Sequence, residues 1–253
     1  MKLVRFSLLI LAFILLGSQV MAQGTLRIAT EGAYPPFNEI DKNGTVVGFD
    51  VDISLALCEA MDVKCTIVIN EWDTILDGLT SNKYDAVIAS MANTPERAKL
   101  ADFTGYYYRS RSTFVGNPSK QFVQTRDGVK GMTLGAQAGT TQAEYLNKNF
   151  EGSATIKLGK TTSDTFAMLA KGEVDAMLSD SLTIFDFLQT EEGRRFDFIG
   201  APLPKGDPSS EACIAVRKGD SELTAAFNKA IKDIRLSGVY EKINRKYFPF
   251  SIY

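Results

Sequence analysis

Short apolar runs alternate with amphipathic segments along this chain, and the alternation runs through twice. Leu26-Arg-Ile-Ala29 has the period of a strand, and Gly48-Phe-Asp50 opens a helix for which Asp50 is the expected N-cap. Cys65–Ile69 reads as a second strand, Thr74–Ser81 as a short helix carrying Ile75, Leu76 and Leu79 on one face, and Tyr84–Ala89 as a third strand. That β-α-β-α-β order demands a parallel sheet covered by helices. The pattern then restarts: strand Met132–Ala136, helix Thr141–Asn149, strand Ile156–Leu158, helix Ser163–Lys171 and strand Val174–Leu178. Two α/β lobes follow from this.

An internal echo links them. Leu79, Asp85 and Ala86 recur at a constant separation as Leu169, Asp175 and Ala176, each set in a helix-turn-strand unit. Ser90 and Asp180 then fall at equivalent strand ends. Ligands of open α/β sheets sit beyond the carboxyl ends of the strands, so facing lobes would place these two residues on opposite walls of one cleft. Two extended stretches, Tyr106–Val115 and the pair Phe198–Pro204 with Ala212–Val216, are expected to cross between the lobes as hinge strands. The last helix runs from Ser221 to about Ser237, with Leu223, Phe227, Ile231 and Ile234 on one face and Asp220 or Ser221 as N-cap. The expected division is residues 1–22 as a leader, 23–110 with 207–253 as lobe 1, and 111–206 as lobe 2.

The leader rests on Lys2 and Arg5, an apolar stretch Phe6–Leu16, and the small-x-Ala pattern Val20-Met-Ala22. This order describes a secretory signal peptide, and the stretch is shorter than the roughly 20 residues that span a bilayer. No cysteine follows the cut to carry a lipid. Cleavage removes two basic residues and no acidic one, moving the formal charge from −2 to −4. A mildly acidic chain has no electrostatic footprint for nucleic acid. Export puts Cys58 and Cys65 in an oxidising compartment, where a disulfide is expected, two buried thiols being the alternative. Cys213 lies in the apolar run Ala212–Val216 and reads as a core thiol. With no histidine and no clustered cysteines, neither a metal site nor a cofactor is expected.

Ile28-Ala-Thr-Glu-Gly-Ala-Tyr-Pro-Pro-Phe37, Gly48-Phe-Asp-Val-Asp52, Tyr84-Asp-Ala-Val-Ile-Ala-Ser90 and Thr94-Pro-Glu-Arg97 together resemble the polar amino-acid-binding periplasmic proteins of ABC uptake systems. The resemblance is nearest to the lysine/arginine/ornithine, histidine and opine binders, and it spans the whole mature chain to Lys246-Tyr-Phe248. It implies the α/β two-lobed periplasmic-binding-protein fold, each lobe a mainly parallel sheet flanked by helices. It also implies a periplasmic monomer that takes a free amino acid and delivers it to membrane permease subunits. Those subunits and the ATPase would be separate chains, because no G-x-x-x-x-G-K-[ST] phosphate loop occurs here.

The resemblance assigns a ligand set, and the chemistry of each residue suits its part. Taken alone, an arginine in a loop is a surface charge. In Ala92-Asn-Thr-Pro-Glu-Arg97 it matches the residue that forks a carboxylate with two parallel hydrogen bonds. Thr141, rather than Thr140, which can simply cap its helix, adds a hydroxyl where main-chain N–H groups favour an anion. Asp180 matches the acceptor of the ligand's ammonium, although an aspartate after a strand also serves as a helix cap. Ser90 matches a residue whose main chain and hydroxyl reach the head group. Tyr34 and Trp72 match two aromatic walls around the ligand side chain, suited to an alkyl chain or a cation. Glu31 could pair with a distal cation; a solvated surface glutamate is the plainer reading.

Two positions depart from the cationic binders. Ala92 replaces a serine, and Gln137 stands where that group has an apolar residue. Arginine, lysine, ornithine, histidine, an opine and a neutral polar amino acid all stay open as ligands, with a cationic side chain favoured. The alternatives are a cyclohexadienyl or arogenate dehydratase-like enzyme using Glu31 as its acid, and a ligand-sensing module for a membrane receptor. Lack of histidine removes the commonest general base from the first.

Overall fold

Residues 25–253 are described by a computed structural model. The chain runs β1 (Leu26–Thr30), a small antiparallel sheet of β2 (Ala33–Tyr34), β3 (Asn38–Ile40) and β4 (Val46–Val47), then α1 (Phe49–Ala60), β5 (Cys65–Ile69), α2 (Ile75–Thr80), β6 (Ala86–Ala92) and β7 (Ala101–Arg109). It continues through β8 (Ser112–Gly116), β9 (Thr133–Gln137), α3 (Thr141–Phe150), β10 (Thr155–Gly159), α4 (Thr162–Ala170), β11 (Ala176–Asp180), α5 (Ser181–Gln189) and β12 (Asp197–Ile199). It closes with β13 (Glu211–Arg217), α6 (Ser221–Leu236) and α7 (Val239–Tyr247).

Two five-stranded sheets result, in the orders β5-β1-β6-β13-β7 and β10-β9-β11-β8-β12. In each, the fourth strand runs antiparallel to both neighbours and the rest are parallel. The chain passes between the sheets at residues 110–111 and within 200–210. The hinge strands of the sequence reading are therefore strand pairs, β7 with β8 and β12 with β13, whose members belong to different sheets.

Both faces of the central strands are buried. Along β6, Ala86 and Ile88 join a core with Phe49, Leu57 and Phe227, whereas Val87 and Ala89 join one with Ile75, Leu79 and Tyr84. The same alternation in β11 sends Ala176 and Leu178 to Leu134, Leu146 and Phe150, and Met177 to Phe166 and Phe187. Strands covered by helices on both faces are near-continuously apolar for this reason. The Cys58–Cys65 disulfide joins the end of α1 to the start of β5, with Cα atoms 6.2 Å apart. Cys213 is a buried free thiol.

Some local expectations need correction. Gly48, not Asp50, caps α1: at φ 129° it lies against the Phe37 carbonyl, where a Cβ would collide. Asp50 sits inside the first turn with its carboxylate fully buried. The strand expected from Tyr84 begins at Ala86, because the buried Tyr84 side chain reaches back and donates to Ile75 O at 2.5 Å. Asp220 is the N-cap of α6, and α7, which follows it, was not anticipated. The leader lies outside the described residues. No described helix is long and apolar enough to cross a membrane.

The echo between the lobes has a structural cause. Asp85 N donates to Arg27 O at 2.8 Å while Asp85 Oδ2 accepts from Arg27 N at 2.9 Å. Asp175 repeats both bonds with Thr133, at 2.7 and 3.0 Å. Each aspartate thus pins the second strand in its sheet order, β1 or β9, to the strand that follows the aspartate, β6 or β11. Burial would raise the Asp85 carboxyl, but donors from the Arg27 side chain and main chain and from Arg217 bring it down to about 2. A carboxyl depressed in this way stabilises the fold above its unfolded value near 4, and that contribution is lost as pH falls toward 2. Asp85→Asn should therefore cost about 1–3 kcal/mol at neutral pH. Asp175→Asn, which gives up one lysine partner rather than two arginines, should cost less. Urea midpoints at pH 7 would measure both.

Candidate functional site

A cleft of about 530 Å³ lies between the lobes and is lined by all eight residues singled out from the sequence: Glu31, Tyr34, Trp72, Ser90, Arg97, Gln137, Thr141 and Asp180. Their positions follow from topology. Glu31 comes directly after β1, Ser90 is near the end of β6, Gln137 ends β9 and Asp180 ends β11. These are the carboxyl ends of the central parallel strands, brought face to face.

Ser90 is held in an unusual way. Its φ is 54°, in the left-handed region. Its N–H donates to Tyr107 Oη at 2.9 Å and its hydroxyl to Asp50 Oδ2 at 3.0 Å. Asp50 also accepts from Tyr107 Oη at 2.7 Å and from Asn38 Nδ2 at 2.8 Å. The Ser90 hydroxyl thus spends its proton on Asp50 and keeps its lone pairs as acceptors at the cleft wall. Burial pushes the Asp50 carboxyl up to about 6 against the pull of its three side-chain donors.

On the opposite wall, Asp180 is 5 % exposed and caps α5, accepting at Oδ1 from Leu182 N at 2.8 Å and from Ser110 Oγ at 2.7 Å. It is a helix cap and a cleft residue at once. Burial lifts it to about 6, opposed by those two donors. Arg97 follows β6 in a short 3-10 turn; its guanidinium donates to Ala92 O at 3.0 Å and, across the cleft, to Gly139 O at 3.1 Å. It also lies 5.1 Å from the Trp72 ring centre. Neither Arg97 nor Asp180 forms a salt bridge among the described residues.

Further contacts tie the lobes together. Trp72 Nε1 donates to the same Gly139 carbonyl at 3.1 Å, and Lys160 pairs with Glu71 at 2.6 Å. Gly139, at φ 68°, holds a left-handed backbone that favours glycine, and a Cβ there would make only ordinary contact with the Trp72 indole nitrogen at 3.4 Å. Glu31 Oε1 accepts from Gln137 Nε2 at 2.7 Å. Burial raises Glu31 to about 7, against Gln137 and reinforced by Asp164 and Asp73. Tyr34 stacks on Phe37 at 5.7 Å, so one aromatic wall is anchored in the lobe 1 core. Thr140 caps α3, accepting from Ala143 N at 3.2 Å, which leaves Thr141 as the first helical residue on the cleft wall.

Sequence reasoning missed Thr162, Gln142 and Ser209, which also line the cleft. Thr162 could have been found from Thr161-Thr-Ser-Asp164, a helix-start signature directly after a strand. Ser209 lies in the chain returning to lobe 1, a segment without periodicity to place it. No group of three or more potential metal-ligating side chains occurs among the described residues.

The profile of the bacterial extracellular solute-binding proteins, family 3, matches residues 26–250. The chain belongs to that family. It is 37% identical over 236 residues to an L-arginine-binding protein of Pseudomonas aeruginosa, covering 92% of this chain and 91% of that one. It is 34% identical over 235 residues to the lysine/arginine/ornithine-binding periplasmic protein of Escherichia coli, covering 90% and 89%. Among solved structures, an ancestral arginine-binding protein bound to arginine superposes with a TM-score of 0.82 at 32% identity, covering 89% of this chain and 98% of that one. The two-lobed fold of this solute-binding protein is that of its family.

Asp50 supports a test independent of any ligand. An amide in its place presents an N–H₂ group to partners that themselves donate. Asp50→Asn should lower unfolding stability by about 1–3 kcal/mol, read from urea midpoints at pH 7.

Proposed function

We propose that this solute-binding protein captures a free amino acid with a cationic side chain in the periplasm, as a monomer, and delivers it to the membrane permease subunits of an ABC uptake system. One observation carries the reading: a guanidinium and a buried carboxylate line the same cleft from different lobes, and among the described residues neither forms a salt bridge. A zwitterion supplies a partner to both. Arg97 would fork its carboxylate with Thr141 at the start of α3 assisting, and Asp180 with the main chain of Ser90 would hold its ammonium. Tyr34 and Trp72 would flank the side chain, and Glu31 would meet a distal cation, with Gln137 beside it. The relatives named for arginine and for lysine, arginine and ornithine agree with that ligand class. Residues 23–110 with 207–253 would form the lobe that binds first and 111–206 the lobe that closes over, residues 1–22 being the export signal.

Closure is the working step. A ligand shifts an open–closed equilibrium only through its differential affinity for the two forms. The contacts of Trp72 and Arg97 to Gly139, and of Glu31 to Gln137, exist only with the lobes together. We read the chain as a binder rather than a dehydratase. Glu31, the acid expected for a dehydratase, is engaged by Gln137, and the sequence has no histidine to serve as a second catalytic group.

Isothermal titration of refolded protein tests this. Arginine, lysine, ornithine or histidine should bind, and Arg97→Ala and Asp180→Ala should each weaken binding by roughly 30-fold or more, the cost of about 2–5 kcal/mol for stripping a partner from a buried charge. Binding only neutral or acidic amino acids would overturn the cationic reading, and binding no amino acid would overturn the function.

The pH dependence has a definite sign. In the empty closed cleft Glu31 takes up a proton as pH falls through about 7 and Asp180 as it falls through about 6, and a bound cation opposes that uptake. Affinity for a cationic amino acid should therefore weaken as pH falls from 8 through 7 to 5.5, with protons released on binding near pH 7. Titrations in buffers of different ionisation enthalpy would register the release.

A further inference from the structure

In the same cleft as Asp180, three side chains from two lobes form one hydrogen-bonded series. Thr162 Oγ1 donates to Gln137 Oε1 at 2.6 Å, and Gln137 Nε2 donates to Glu31 Oε1 at 2.7 Å. Gln137 Nε2 also lies 3.4 Å from Lys160 O. All three residues are buried: Glu31 is 8 %, Gln137 3 % and Thr162 1 % exposed. No hydrogen bond to Glu31 Oε2 occurs among the described residues.

A carboxamide has a donor end and an acceptor end. The Thr162 hydroxyl has a single proton and gives it to the acceptor end, so the donor end faces Glu31. The reversed amide would set oxygen against carboxylate and leave the threonine proton facing an N–H₂ group. Thr162 thereby fixes the sense of the amide, and the amide fixes the carboxylate.

We infer that Thr162, acting through Gln137, is a specificity-determining positioning residue: it holds Glu31 with one oxygen engaged from the opposite lobe and the other left for a distal cation on the ligand. This rests on the cleft being an amino-acid site. It also gives the departure of Gln137 from the family's apolar residue a purpose. Where an apolar side chain would leave a buried carboxylate without its donor, Gln137 supplies one, and only once the lobes have met.

The charged surroundings make that donor consequential. Asp73, from the turn after β5, and Asp164, from the first turn of α4, both favour the protonated form of Glu31. The nearby Lys160 ammonium is paired with Glu71. Gln137 is the group that favours the charged form. Loss of the Thr162 hydroxyl frees the amide to turn, Glu31 holds its proton more tightly, and a cationic side chain loses its advantage over a neutral one of the same shape.

The test compares arginine with citrulline and lysine with norleucine by isothermal titration at pH 6, 7 and 8, using the mature chain and its Thr162→Val, Thr162→Ser and Gln137→Leu variants. Thermal melts confirm that each variant is folded, and Thr162→Val preserves side-chain shape. The wild type should prefer the cationic member of at least one pair, more strongly at pH 8 than at pH 6. Thr162→Val and Gln137→Leu should each reduce that preference about tenfold, as expected for losing one hydrogen bond to a charged group. They should also shift the pH profile upward, with the loss falling more heavily on the cationic member than on the neutral one, and Thr162→Ser should keep wild-type behaviour. If the wild type prefers the cation and Thr162→Val keeps both the preference and the pH profile, or weakens both members of a pair equally, the inference fails while the proposed function stands. If the wild type shows no cationic preference, that part of the proposed function fails and the inference falls with it.

Discussion

Strand β13 lies between β6 and β7, yet it enters the chain only after the whole of the second sheet has been made. Everything else about the molecule is subject to that arrangement. The first sheet cannot be completed unless the chain leaves it at β7, builds β8 to β12 and comes back. The two crossings are forced, and they lie side by side: Ser110 N donates to Ser210 O at 3.1 Å, and Arg111 Nε donates to Leu203 O at 2.9 Å. A double connection of this kind allows the lobes to swing while holding their facing strand ends in register, which is the geometry of hinge closure.

Carboxylates do two opposite jobs within this frame. Asp85 and Asp175 lie just before a central strand of each sheet, beside cationic side chains (two arginines for Asp85, one lysine for Asp175) and a main-chain donor, and their charge is stabilised. Glu31 and Asp180 lie at strand ends and Asp50 in the first turn of α1, where burial outweighs their hydrogen bonds and makes their charge costly. The first pair gives the lobes rigidity. The second group gives the closed cleft an unmet demand for positive charge, and such perturbed groups gather at functional sites. Asp50 belongs to both descriptions, because its network fixes the left-handed backbone of Ser90 while adding negative potential behind it.

Much of this was legible in the sequence. The βαβ alternation specified two parallel-rich lobes because the strands are covered on both faces, and the echo of Asp85 in Asp175 marked a repeated hydrogen-bonding device. Arg97 and Asp180 could be paired before their geometry was known because the family resemblance assigns them the carboxylate and the ammonium of an amino acid. What escaped was set by contacts between distant segments. Asp50 reads as a helix cap locally, but Tyr107 and Asn38 claim its carboxylate from other strands. Thr162 carries only a helix-start signature, and its partner Gln137 is reached across sheet neighbours β9 and β10. Helix α7 is short and strongly charged, and it holds its place through Asn244, which binds the tail at Phe250 and Ile252.

The two walls of the cleft are also inherited differently. One wall is assembled from two separated stretches of chain that must fit each other across β13. The other, with Gln137, Thr141, Thr162 and Asp180 upon it, is encoded without interruption between the crossings. A single recombination event spanning that stretch would exchange an entire wall at once and leave Arg97, Trp72 and Glu31 in place. Such a molecule would keep one face of the cleft while acquiring a new opposing one, so a change in what the cleft accepts need not proceed one residue at a time.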